Sequence, residues 1–329
     1  MFTIAHDFAT WVKLLNFYWY RRRILHYIVQ LEEHTRYTPN YIRHAAITIA
    51  EKSINQGASI SMKYIKIRGY ITLSYAIVGV LKNELAYPFW YPFSTEPFAF
   101  FLVASMQQLV CTGMAITIQI LLDALFFSYN IILNGHLDTL SYALINLLED
   151  TNNDSRTMHK RIKECVIYHR NCVELANALQ DHWSIHLLMH GLGNTGTICT
   201  MLYIIPQGQT ANLAIHGAAV ISLLVTELFI MCYYTNELTL KSEALLDASY
   251  TTNWYETPLQ FQLSFRILRE RLSKPIKLVS GKIFDIKLEN FRTVPQWASS
   301  THEEEKSLSE KTVSSSFEMR IKMEHEHDN

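Results

Sequence analysis

Apolar positions along the chain gather in two long blocks. Residues 98–122 and 182–226 contain no Asp, Glu, Lys or Arg, although 18% of the whole chain is charged. A helix needs about 20 apolar residues to cross the roughly 30 Å hydrocarbon layer of a bilayer. The first block is long enough for one crossing and the second for two with a turn between. That turn is legible at Pro206-Gln207-Gly208-Gln209-Thr210, where Pro and Gly breakers stand among polar neighbours. The pattern therefore predicts spans over 98–122, 183–205 and 211–234. A shorter apolar stretch, Gly69–Leu81, reaches spanning length over 66–86 by letting Lys66, Arg68, Lys82 and Glu84 extend to the interfaces. A helical hairpin inside a soluble core is the alternative for the second block. It is set aside because soluble core helices carry a charged outer face.

Helical periodicity continues beyond these blocks. Leu122, Leu125, Phe126, Leu133, Leu137, Leu140, Leu144 and Leu147 recur at three-, four- and seven-residue spacings, which is one face of a helix leaving the membrane. The run LEDTNNDS, Leu148–Ser155, breaks it. A second pattern returns through Ile162, Cys165, Val166, Val173, Leu175 and Leu179. Trp11 to Leu31 is also helically periodic, interrupted by Arg21-Arg22-Arg23. The predicted architecture is all-α, a polytopic membrane bundle of four spans. It comprises a cytosolic helical region 1–65, a transmembrane region 66–235 with cytosolic extensions over 123–182, a cytosolic anchor or linker region 236–294, and a disordered polar tail 295–329. The extensions form a bundle outside the bilayer where subunits could join.

Charge orients these elements. Basic residues crowd the chain before the first span, vanish over 83–97, return from Arg156 to Arg170, vanish again between the third and fourth spans, and return from Lys241 to Lys322. The positive-inside rule then places both termini in the cytosol. That orientation argues against G-protein-coupled receptors, whose N-terminus is outside. With a net charge of −1 there is no electrostatic case for a nucleic-acid partner. The first fifteen residues lack the basic start of a signal peptide. Cys111, Cys199 and Cys232 fall in spans and Cys165 and Cys172 in the cytosolic connection, so no disulfide framework is expected. The sequon Asn153-Asp154-Ser155 falls on the cytosolic side and is read as a chance match.

Little chemistry is visible. His182, His186 and His190 stand at i, i+4 and i+8 on one helix face, a spacing able to bind a metal. No Glu follows in the H-E-x-x-H manner and no Cys joins the array, so the stripe is read as polar contact with neighbouring helices or water, and no metal is assigned. An acyl-transfer centre on His190 would need an acid that the third span does not supply. No Gly-rich phosphate loop or G-x-S-x-G elbow occurs, so no catalytic residue, cofactor or enzyme activity is assigned. The segment AYPFWYPFSTEPFAFF, Ala86–Phe101, is aromatic beside an outer interface. Part of it is an interfacial belt, and part is suited to an apolar pocket for a small uncharged ligand. The residues expected to line that pocket, all near outer span ends, are Ile77, Leu81, Phe98, Phe101, Met106 and His216. GLGNTG, Gly191–Gly196, supplies small residues for close helix approach.

Four segments carry a family resemblance. CYYTNELTLKSEALLDASYTTNWYE, Cys232–Glu256, resembles the cytosolic end of the sixth helix of insect odorant receptors. KPIKLVSGKIFDIKLENF, Lys274–Phe291, resembles the approach to the seventh. LAYPFWYPF, Leu85–Phe93, resembles the outer loop before the fourth, and HRNCVELANALQDHWS, His169–Ser184, the run into the fifth. The related gustatory receptors fit Cys232–Glu256 less well. The resemblance implies an odorant-gated cation channel subunit in the plasma membrane of olfactory sensory neurons. It implies assembly as a tetramer with the odorant receptor co-receptor, small apolar odorants as ligands, and a pocket in the outer half of the membrane. By this resemblance the four spans are the family's third to sixth helices, and the chain is truncated at both ends, before the pore-lining seventh helix and without the first two. The alternatives are a non-conducting protein that only assembles with other subunits, or a gene-model fragment.

Overall fold

The computed structural model describes residues 38–81, 85, 90–94, 97–151, 154–207, 211–281 and 284–285, with isolated helical positions between 12 and 33. The polar tail 295–329 lies outside the described residues, as does most of the stretch before residue 38. Five helices make the body: α1 Arg43–Leu81, α2 Phe98–Ile145, α3 Ser155–Gln207, α4 Ala211–Tyr250 and α5 Leu259–Leu272. Single 3-10 turns, Asn40–Ile42 and Trp254–Glu256, lead into α1 and α5. The predicted all-α class is met, with one addition. Strands β1 Val279–Ser280 and β2 Phe284–Asp285 form a small antiparallel hairpin with Val279 opposite Asp285.

The long helices are continuous across the predicted membrane boundaries. The 48 residues of α2 extend about 72 Å at 1.5 Å per residue, more than twice the hydrocarbon thickness. The 53 residues of α3 extend about 80 Å. Each apolar block and the helical extension predicted beyond it are thus one rod. Among the described residues, Phe98–Ile145 and Gly217–Glu256 are long and apolar enough to cross a membrane by length and composition.

The break expected at LEDTNNDS is where α2 ends and α3 begins. Asp150 takes a left-handed backbone, φ 53°, a conformation to which Asp is better suited than most residues. Asp154 then caps α3, accepting the backbone N–H of Arg156 and of Thr157, each at 3.1 Å. Such caps satisfy amides that have no partner inside the helix.

α2 is the axis of the packing, with α1 and α4 lying along it more extensively than any other pair of elements. Its predicted stripe is inward: Leu122, Phe126, Leu133, Leu137, Leu140, Leu144 and Leu147 are all buried. From α3 come Ile162, Cys165, Tyr168 and Cys172, from α4 Leu238 and Leu245, and from α5 Phe261, Phe265, Leu268 and Leu272. Val166 of the predicted α3 stripe is instead exposed, because its place on the helix lies beside rather than within the inward arc. The corner between α4 and α5 is closed by Arg269, whose guanidinium lies 3.8 Å above the Tyr250 ring, and by Trp254 stacked on Phe265 at 5.7 Å.

The hairpin is sewn to α3. Gln180 donates to the Val279 carbonyl at 2.6 Å and accepts its N–H at 2.7 Å. The N–H of Gly281 donates to the Ser184 carbonyl at 3.0 Å. Gly281 has φ 58°, and a Cβ there would stand 2.6 Å from Leu188 Cδ2, so both backbone angle and space call for glycine.

Two outcomes are expected from this packing. Gly135 of α2 faces Ser53 of α1, and an added Cβ would lie 2.6 Å from Ser53 Cβ. Gly135→Ala should lower stability by about 1–3 kcal/mol, read as a lower Tm in detergent, and adding Ser53→Gly should restore it. All five cysteines are free. Burial pushes the thiols of Cys165 and Cys172 up to about 12, so neither forms thiolate at neutral pH. A hydrophilic maleimide should therefore label these two only after unfolding, and mass spectrometry of the labelled peptides checks it.

Candidate functional site

Four helices contribute ionisable side chains to one buried point. Tyr64 and Arg68 are one turn apart on α1, and His186, His190 and Asn194 are one turn apart on α3. Each set shares a helix face. Asp123 of α2 and Glu227 of α4 meet them. Both are the first charges after the charge-free blocks, so the point lies at one end of the apolar zone, where it passes into the helical bundle. Asp123, His190 and Glu227 are 1%, 0% and 1% exposed.

The contacts form a chain. Tyr64 donates its hydroxyl to Asp123 Oδ2 at 3.2 Å. Asp123 Oδ1 lies 3.3 Å from His186 Nε2 and 3.7 Å from His190 Nδ1. The other nitrogen of that ring, His190 Nε2, lies 3.1 Å from Glu227 Oε1 and 3.0 Å from the Asn194 amide. Glu227 Oε2 closes the chain on Arg68 at 3.0 Å. The imidazoles of His186 and His190 are stacked, 6.0 Å between centroids and 16° between planes. An uncompensated charge at such a site would be expensive to bury, so the groups stand only as a set. Of the histidine stripe, His182 stays apart. Its Nδ1 meets the Ala178 carbonyl at 2.6 Å and its ring sits edge-on to Tyr20 at 5.2 Å.

The acid that His190 lacks on its own helix is therefore supplied by α2 and α4. Sequence reading left Asp123, Glu227, Arg68 and Tyr64 out of the site. The available signal was that Glu227 stands inside a predicted span, and an ionisable residue in a span is a functional candidate by default.

The expected ligand-pocket residues are not gathered together among the described side chains. Phe101 is buried, at 8% exposure, while Phe98 and Met106 are 69% and 49% exposed. The side chains of Ile77, Leu81 and His216 lie outside the described residues. The inward face of α2 at this end runs through Phe101, Ala104 and Gln108. Tyr91 folds over it, its hydroxyl donating to Gln107 Oε1 at 2.9 Å and accepting from Gln108 Nε2 at 3.1 Å. Phe93 lies between Tyr91 and Phe100, at 5.3 and 5.5 Å. A separate small cavity of about 30 Å³ lies on the bundle side, lined by Ile24, Tyr129, Leu133, Leu179, His182 and Trp183 among others.

The family model described as 7tm Odorant receptor matches residues 1–298. The chain belongs to the odorant receptor family. This is a family of membrane receptors rather than of enzymes. The chain is 26% identical over 136 residues to the odorant receptor coreceptor of Aedes aegypti, a match covering 40% of this chain and 28% of that protein. It is 23% identical over 199 residues to odorant receptor 42b of Drosophila melanogaster, covering 59% of this chain and 49% of that one. These matches thus span half or less of the relatives' length. The fold is that of the insect olfactory receptor OR5 from Machilis hrabei, solved in complex with eugenol, with a TM-score of 0.73 at 15% identity over 91% of this chain and 78% of that chain.

Removing one member of the buried Arg68–Glu227 pair strands the other charge. Arg68→Met should cost about 3 kcal/mol or more, seen as a fall in Tm, and the pair Arg68→Met/Glu227→Leu should recover much of it.

Proposed function

We propose that the protein is an odorant receptor subunit that takes small apolar odorants between its membrane helices and, with the odorant receptor co-receptor, gates a cation channel. The family match over residues 1–298 carries this reading. The similarity to odorant receptor coreceptors over part of the chain supports assembly with such a partner; in this reading the assembly is a tetramer. In this reading four segments cross the plasma membrane of an olfactory neuron, and both termini face the cytosol, as the alternation of basic residues favours.

The odorant would sit near the outer ends of α1, α2 and α4, among Ile77, Leu81, Phe98, Phe101, Met106 and His216. Phe101 is the residue whose described position best supports this, since it points into the helix packing beside Ala104 and Gln108. Such a pocket selects by apolar shape, at about 0.8 kcal/mol per buried methylene. Gln108 and Tyr91 add a polar edge able to meet a hydroxyl or carbonyl.

The direct test is odorant-evoked current from cells expressing this chain with the co-receptor. Association without current across a broad odorant panel would leave only the assembly role. In a receptor carrying these residues, Phe101→Ala should raise the half-maximal odorant concentration about 10- to 100-fold, as expected from losing roughly 1.5–3 kcal/mol of apolar contact. Unchanged dose–response curves for several odorants would remove Phe101 from the pocket.

A further inference from the structure

We propose that Asp123, His186 and His190 form a binding site for a divalent transition-metal cation, with Zn²⁺ as the best-matched ion. The three side chains each offer one ligand atom, and these atoms all lie within 4.8 Å of one another. Asp123 Oδ1 is 3.3 Å from His186 Nε2 and 3.7 Å from His190 Nδ1. In a tetrahedral zinc site with ligands at about 2.0–2.1 Å, neighbouring ligand atoms stand about 3.4 Å apart. The two spacings that involve Asp123 are thus already close to a coordinating geometry, and the third pair of ligand atoms has only to close from within 4.8 Å.

The surroundings supply what a metal site needs beyond its ligands. A ligating histidine works best when its second nitrogen donates to a carboxylate, which fixes the tautomer and raises ligand basicity. The second nitrogen of His190, Nε2, stands 3.1 Å from Glu227 Oε1, with the Asn194 amide nitrogen 3.0 Å from the same atom, so a carboxylate is in place for its N–H once Nδ1 takes a metal. Arg68 holds the other Glu227 oxygen at 3.0 Å and keeps that carboxylate oriented. Tyr64 engages Asp123 Oδ2, which leaves Oδ1 toward the two imidazoles. The stacked rings on successive turns of α3 present both donor nitrogens to the same oxygen of α2. Two imidazoles and one carboxylate suit Zn²⁺ and its late first-row neighbours, and the set contains no thiolate and too few oxygens for Ca²⁺ or Mg²⁺. A fourth position would fall to water.

A cation here ties α2 to α3 directly, and through Glu227 and Arg68 to α4 and α1. It would sit at the end of the apolar zone, where the long helices enter the bundle. Binding is therefore expected to stiffen the junction between the two halves of the molecule.

The test uses the full chain in detergent micelles, stripped with EDTA and titrated with Zn²⁺. All proteins carry His325→Ala and His327→Ala, since the stretch Glu324–Asp328 near the C-terminus is itself able to take up metal. The expected result is one equivalent of Zn²⁺ per chain, a rise in Tm, and intense visible bands on Co²⁺ substitution, the mark of low coordination number. His186→Ala and Asp123→Asn should each weaken binding at least tenfold, with circular dichroism confirming that they remain helical. Glu227→Gln should weaken it about 10- to 100-fold as an outer-shell change, while His182→Ala should bind as before. If a variant fails to fold, His186→Asn, which keeps a polar group in place, is read instead. Absence of a bound equivalent in the folded background protein, or binding unaffected by His186 and Asp123 substitution, would overturn the site. The measurement needs no odorant or co-receptor, so its outcome is independent of the proposed receptor function.

Discussion

A carboxylate placed among apolar helices must find a counter-charge, and in this protein that requirement determines where four helices meet. Glu227 binds Arg68 on one oxygen and His190 on the other, and Asp123 binds Tyr64 and the two histidines. No two of these partners on different helices can slide by a turn without stranding a charge. Apolar packing tolerates small shifts between helices because most registers bury similar area. A buried ionic network does not, since its desolvation is repaid only in one geometry. The cluster therefore acts as a register pin between α1, α2, α3 and α4.

Around that pin the molecule has two regimes. Toward its N-terminal end, α2 presents Phe101, Ala104 and Gln108 inward and Phe98, Val103 and Met106 outward. Large apolar groups facing outward are the expected surface of a helix meeting lipid or a partner. Toward the other end the same helix carries a continuous leucine stripe into a bundle with α3, α4 and α5, and there burial is dense. Because α2 and α3 are unbroken, a displacement at one end has a rigid path to the other. The cluster sits on that path, at the point where α1, α2, α3 and α4 meet.

Helix existence was readable because periodicity over long segments is a strong signal. The stripe from Leu122 to Leu147 and the break at Leu148–Ser155 follow from side-chain spacing and from Asp154 acting as a cap. Residue Val166 and the lengths of the rods were less legible, since periodicity does not tell which arc of a helix finds a neighbour. The hairpin at Val279–Asp285 is held by Gln180 and Ser184, about a hundred positions away. No local pattern encodes such a contact.

The sequence by itself determined the helical class, the apolar blocks, the alternation of basic segments and the odorant receptor resemblance, because these depend on composition and on spacing within single segments. It also placed His186 and His190 on one face. Only the tertiary structure decided which acids those histidines meet, since Asp123 and Glu227 are distant in the chain and are brought in by the packing of α2 and α4. It likewise separated His182 from the pair and turned Phe101 inward while leaving Phe98 and Met106 outward. Spacing fixes where a side chain sits on its own helix, and the neighbouring helices decide what that position means.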